Sequence, residues 1–104
     1  MPVKNAIIEY LSTHSGPSID TGFLAYLANL TEVAKVAPNI AGSIVKELAE
    51  QRTNLKLIAS ENYCSLATQF AMGNLLTDKY AEGFPFHRFY AGCDNIDAVE
   101  AYAA

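Results

Sequence analysis

The sequence predicts a mainly α-helical chain. Two apolar stripes at helical spacing carry that expectation, together with the breaker residues between them and the presence of only one brief alternating run. Phe23, Leu27, Leu30 and Ala34 recur at i, i+4, i+7 and i+11, the spacing of one buried helix face, and Leu24 widens it. Ile40, Ile44, Val45 and Leu48 form a second stripe that Leu55 continues. Leu55-Lys56-Leu57-Ile58-Ala59 alternates but is too short for a helix, and reads as an extended piece.

A short first helix is expected over Asn5 to Leu11, with Ile7, Ile8 and Leu11 on one face. His14-Ser15-Gly16-Pro17-Ser18 is a loop by composition. The second helix runs from about Asp20 to Ala37. Pro38 ends it, because a proline pushes the preceding residue out of the α region. The same proline suits the first turn of a third helix, where its missing N–H costs nothing. That helix spans 39–53 and is expected to pack on 20–37 as a hairpin or at a steep angle. Ser65 can cap a fourth helix, with Leu66, Phe70, Gly73 and Leu76 or Thr77 on its face and an end near Asp78. Ala81 to Cys93 mixes Gly83, Pro85 and Gly92 with Phe84, Phe86, Phe89 and Tyr90. A loop this aromatic packs on something or lines a site, since free in water it exposes an apolar patch. Asp94 can cap a last helix with Asp97 in its first turn. The stripe begun by Ile96 and Val99 runs out at Ala104, which suggests a piece of something longer.

Composition narrows the function. With 104 residues the chain has one small domain's length and a modest core. A net charge of −4 argues against a nucleic-acid binder, which needs a basic stripe against phosphates. No apolar run is long enough to span a membrane, and Met1 to Ser12 has no signal-peptide block. Cys64 and Cys93 are too few for a disulfide framework and fit a reducing cytoplasm.

Two stretches hold chemistry. Ser60-Glu61-Asn62 follows the apolar run at 55–59, a place where side chains can be held firmly at a cleft; the same residues also suit a turn and a helix cap. In Lys79 to Cys93, burial among aromatics would raise the pKa of Glu82 and make it a proton donor. Tyr80 and Tyr90 can donate to a phosphate or carboxylate, and Arg88 can fork onto a carboxylate. The other reading is an aromatic loop docked on a core, with Glu82 and Arg88 solvated or paired. His87, Cys93 and Cys64 match no zinc spacing, and a Cys93–His87 nucleophile pair lacks any local signature.

Taken together, these stretches resemble the serine hydroxymethyltransferase family. Leu57-Ile58-Ala59-Ser60-Glu61-Asn62 is similar to its LIASEN segment and Leu76-Thr77-Asp78-Lys79-Tyr80-Ala81-Glu82-Gly83 to its LTNKYAEG segment. Pro85 to Cys93 resembles PGKRYYGGC, and Asn95 to Glu100 the helix start that follows. The resemblance covers residues 55–100. It implies that the chain is the N-terminal segment of an α/β fold-type I pyridoxal-phosphate transferase. Residues 1–54 would be a helical arm and 55–104 the truncated start of the transferase domain.

The resemblance further implies serine–glycine interconversion with tetrahydrofolate as one-carbon carrier, and pyridoxal 5'-phosphate as the electron sink. Ser60 would then meet the amino-acid carboxylate and Tyr80 the cofactor phosphate, in the neighbouring subunit of a homodimer or higher homo-oligomer. Glu82 would handle the proton near the serine hydroxyl, Tyr90 would lie near the substrate carboxylate, and Phe89 would flank the folate ring. Pro85-Phe86-His87 stands for Pro-Gly-Lys, Phe89 for a tyrosine, Leu66 for a proline, and Ala91 for a glycine, where a positive φ would strain an alanine. None of Lys4, Lys35, Lys46, Lys56 and Lys79 stands in the family's Thr-rich Schiff-base context, so the chain alone is expected to be inactive. A reading of another class is a small helical interaction module that docks through Phe84, Phe86, Phe89 and Tyr90.

Overall fold

The computed structural model describes residues 3–104, with side chains from Ala6 onward. Met1, Pro2 and the Lys4 and Asn5 side chains of the sequence reading lie outside the described residues. The chain is mainly helical with one two-stranded sheet. It divides into two compact units, Met1–Asn62 and Tyr63–Ala104.

The first unit holds three helices: α1 (Val3–Thr13), α2 (Thr21–Val36) and α3 (Pro38–Thr53). The hydroxyls of Ser12 and Thr13 close the last turn of α1 by donating to the Glu9 carbonyl at 2.7 and 3.2 Å. Between α1 and α2 a short 3-10 turn, Gly16–Ser18, occupies the expected loop. Asp20 caps α2, its Oδ1 accepting from the Phe23 N–H at 3.1 Å. The Asp20 N–H donates to the Tyr10 hydroxyl at 2.7 Å, and the Tyr10 ring lies 5.0 Å from that of Phe23. One tyrosine thus ties the start of α2 to α1.

The expected α2 stripe meets its neighbours mainly through Leu30, 5% exposed, while Phe23 stays largely exposed. The α3 stripe is a correction. Ala41 is the buried residue and Ile44 is half-buried, whereas Ile40, Val45, Leu48 and Leu55 are exposed.

Leu55–Ile58 forms no strand. It has no neighbouring strand to pair with among the described residues, and Leu55 and Leu57 are exposed. A turn follows, closed by the Glu61 N–H on the Ile58 carbonyl at 3.0 Å.

In the second unit Ser65 caps α4 (Leu66–Met72), its Oγ accepting from the Thr68 N–H at 3.2 Å. The helix stops at Met72 and does not reach Asp78. Gly73 breaks it, and a separate 3-10 turn, Leu75–Asp78, follows under its own cap from Asn74. The aromatic segment folds into a hairpin of β1 (Gly83–Phe84) and β2 (His87–Arg88), pairing Gly83 with Arg88 and Phe84 with His87. The last helix, α5 (Asp94–Ala103), corrects the expected cap: Cys93 occupies the N-cap position without a side-chain capping bond, and Asp94 lies inside the first turn.

The hydrophobic core among the described residues is smaller than the chain length allows: Leu30, Ala41 and Cys93 are its buried apolar residues, and none is fully buried. Two compact units of these lengths would together expose about 6,900 Å², whereas the chain exposes 8491 Å². Much apolar surface therefore has no cover within the chain itself.

Candidate functional site

Of the five residues singled out, four come together in the second unit. Tyr80 Oη donates to Glu82 Oε2 at 2.7 Å, and the Tyr80 and Tyr90 rings meet edge to face with centroids 5.0 Å apart. The Phe89 N–H donates to the Glu82 carbonyl at 3.3 Å, so Phe89 and Glu82 face each other across the extended hairpin. The carboxylate beside it raises the pKa of Tyr80 above the ordinary tyrosine value, with desolvation adding to the shift. Ser60 lies in the first unit, exposed within the turn that closes on Ile58. The run before Ser60 pairs with no strand among the described residues.

Glu82 is exposed, so of the two readings open for it the solvated one holds in this chain. Nor does the aromatic loop dock on a core: Phe84, Phe86 and Phe89 are each more than three-quarters exposed. What shapes the hairpin is polar. Arg88, with a side chain 3% exposed, donates through Nε to Asp97 Oδ1 at 2.9 Å and through Nη1 to the carbonyls of Ala81 and Gly83, both at 2.9 Å. Its Nη2 lies 3.0 Å from Glu100 Oε1. That is ion-pair distance, but the N–H is not aligned on the oxygen, so this contact is charge attraction and not a hydrogen bond. The bond to Asp97 and the nearby Glu100 charge raise the Arg88 pKa further, against the opposing effect of burial. Arg88 thereby clamps the hairpin to α5, and Asp97 does more than complement a helix dipole. Lys79 adds a second tie, Nζ to the Gly92 carbonyl at 2.8 Å.

Backbone geometry explains the hairpin's sequence. Gly83 has φ +114, and a Cβ there would sit 2.5 Å from the His87 carbonyl oxygen, so only glycine fits. Phe86, after Pro85 in the two-residue loop, has φ +66, a left-handed value rare outside glycine and asparagine. The positive φ in the Ala91-Gly92 pair falls on Gly92, at +82, and not on Ala91. The sequence reading missed the strain at Phe86. A proline opening a two-residue loop was the available signal, because the next position then favours φ > 0.

Cys93 is buried, its Sγ 3.7 and 3.6 Å from the carbonyls of Tyr80 and Tyr90, while Cys64 is exposed. No hydrogen bond joins Cys93 to His87 among the described residues. No group of three His, Cys, Asp or Glu side chains there is placed to hold a metal ion. No described helix is long and apolar enough to cross a membrane.

A hairpin that presents phenols and a carboxylate from a polar clamp suits the wall of a small-molecule site, and the comparisons give its class. The family model for serine hydroxymethyltransferase matches residues 33–104, and the chain belongs to that family of enzymes. A serine hydroxymethyltransferase of Treponema pallidum is 60% identical over 101 residues, 97% of this chain and 18% of that relative. One of Chlamydia trachomatis serovar L2 is 60% identical over 77 residues, 74% of this chain and 16% of that relative. One of Chlamydia pneumoniae is 53% identical over 93 residues, 89% of this chain and 18% of that relative. The chain thus spans under a fifth of the length of these curated relatives. The match with the treponemal protein takes in the helical arm as well as the motifs at 57–100, and the interaction-module reading is not favoured.

Proposed function

We propose that this chain is the N-terminal part of a fold-type I serine hydroxymethyltransferase that interconverts serine and glycine with tetrahydrofolate. Residues 55–104 begin its transferase domain and residues 1–54 form an arm. The observation that carries the reading is the Tyr80–Glu82 pair, bonded at 2.7 Å on a hairpin that also presents Phe89 and Tyr90. Pyridoxal 5'-phosphate, when bound, supplies an electron sink.

The donor set fits one edge of that cofactor. The exposed Tyr80 phenol can donate to a phosphate oxygen, and Tyr90 beside it can donate to a carboxylate. The set does not supply the anchoring amine. Lys79 is tied to Gly92, Lys35 is paired with Glu32, and Lys56 lies 3.8 Å from Glu61. Roles then divide by chemistry. Tyr80 binds the phosphate. Ser60 and Tyr90 orient the amino-acid carboxylate. Glu82 holds or moves a proton at its carboxylate oxygen. Phe89, lacking a hydroxyl, covers the folate ring by apolar contact alone.

The exposed aromatic hairpin and uncovered apolar surface support association with further protein, including a second copy. Both cysteines are unpaired, which suits a reducing cytoplasm.

The test is a serine-to-glycine assay with tetrahydrofolate on the full-length protein that contains this segment. Glu82→Gln is expected to lower kcat by roughly 10²-fold, and Tyr80→Phe to weaken cofactor retention. The 104-residue chain alone is expected to show no serine turnover and no new visible absorbance band with the cofactor. Turnover by the chain alone, or none by the full-length protein, overturns the reading.

A further inference from the structure

The phenol assigned to a phosphate already has an anion on it. Tyr80 Oη donates its one hydrogen to Glu82 Oε2 at 2.7 Å, a short charge-assisted bond. A phenol has a single O–H and serves one such acceptor at a time. The cationic side chains nearest in sequence are spent elsewhere, Lys79 on the Gly92 carbonyl and Arg88 on Asp97 and two carbonyls. Glu82 therefore has no other described side-chain donor, and Tyr80 no other described acceptor. Tyr80 is 62% exposed and its ring meets Tyr90 edge to face, which leaves its hydroxyl room to turn outward.

We infer that Glu82 is an internal stand-in for an oxyanion at Tyr80: its carboxylate and a phosphate monoester compete for the same phenolic hydrogen. Arrival of the phosphate and release of Glu82 are then one event. This rests on the reading of Tyr80 as a phosphate donor and adds a consequence to it. The proton-handling carboxylate is set free only when the phosphate is in place, so Tyr80 acts on Glu82 as a positioning residue. The raised ionisation of the phenol agrees with a carboxylate acceptor in the unliganded chain.

Pyridoxine 5'-phosphate is the probe, because it carries the phosphate without a reactive aldehyde, and pyridoxine is its control. The full 104-residue chain is labelled with carbon-13 at the tyrosine ring carbon that bears oxygen. In the unsubstituted chain the Tyr80 signal is expected to move saturably with the phosphate ester and not with pyridoxine. Glu82→Gln, which removes the competing charge but preserves the side chain's size, should lower the half-saturation concentration about tenfold. Tyr80→Phe should remove that signal and leave no saturable response to the phosphate ester at any other tyrosine.

A ligand-free arm reads the bond alone: Glu82→Gln should lower the Tyr80 ionisation midpoint. A lowered midpoint without any phosphate response keeps the bond, refutes the phosphate site and overturns the competition. Phosphate binding at Tyr80 with equal half-saturation in both chains keeps the phosphate site and equally overturns the competition. An unchanged ionisation midpoint overturns it at the first step.

Discussion

The two units of this chain are built on different interactions. Residues 3–62 are held by helix faces: Leu30 and Ala41 are buried, α2 packs on both α1 and α3, and Tyr10 links α1 to the cap of α2. Residues 63–104 bury one cysteine and, of charged residues, Asp97 and the Arg88 side chain. There the hairpin keeps its form through a guanidinium with three hydrogen bonds, a lysine on a carbonyl and a glycine that no other residue can replace. Apolar packing tolerates substitutions of similar volume. A polar clamp depends on geometry, and losing one partner strands the other. The unit that carries the candidate site is therefore the more brittle, while its aromatic rings stay outside the clamp and available for contact.

Substitutions should expose that contrast in graded steps. Gly83→Ala is expected to have the largest effect, roughly 3 kcal/mol or more, because the new Cβ meets the His87 carbonyl and φ is far from the alanine range. Amide exchange should accelerate across 80–93 and remain unchanged in α2. Leu30→Ala should cost about 2.5 kcal/mol and loosen the first unit, read as lost helical circular dichroism in thermal melts. Asp97→Asn should free the hairpin from α5 and lower the unfolding midpoint of the second unit by several degrees. An unchanged midpoint would remove the clamp from the argument.

Phe86→Gly works in the opposite direction. Relief of the left-handed strain should stabilise the hairpin by about 1 kcal/mol, measured by urea titration of the second unit. Smallest is the pH effect. The folded pKa of Tyr80 is raised, so its bond to Glu82 contributes in full below the ordinary tyrosine pKa and is lost as pH rises through the raised value. Ultraviolet titration should place that ionisation above an ordinary tyrosine's, and Glu82→Gln should return it towards the ordinary value.

Much of this was legible in the residues. Ser65 caps the helix it was expected to cap, whereas Asp94 lies in the first turn of α5 and not at its cap; Pro38 separates α2 from α3, and Tyr80, Glu82, Phe89 and Tyr90 do lie together. The motif order at 57–100 led to the family that the comparisons establish. The face of α3, and the choice between a buried and a solvated Glu82, depend on what lies opposite, and periodicity is silent about the neighbour. Phe86 is a different case. Phenylalanine is a poor advertisement for a left-handed φ, and only the loop length around Pro85 hinted at it.

Local chemistry in the sequence alone determined where helices begin and break, and which polar side chains share the aromatic segment, because caps, prolines and glycines act within a few residues of themselves. Tertiary structure alone decided that Arg88 reaches nine residues along to Asp97, that Ala41 is the buried residue of α3 while Ile40, Val45 and Leu48 stay exposed, and that Tyr80 spends its hydrogen on Glu82. Those choices depend on distances through space, set only once the backbone has closed the hairpin and crossed the helices.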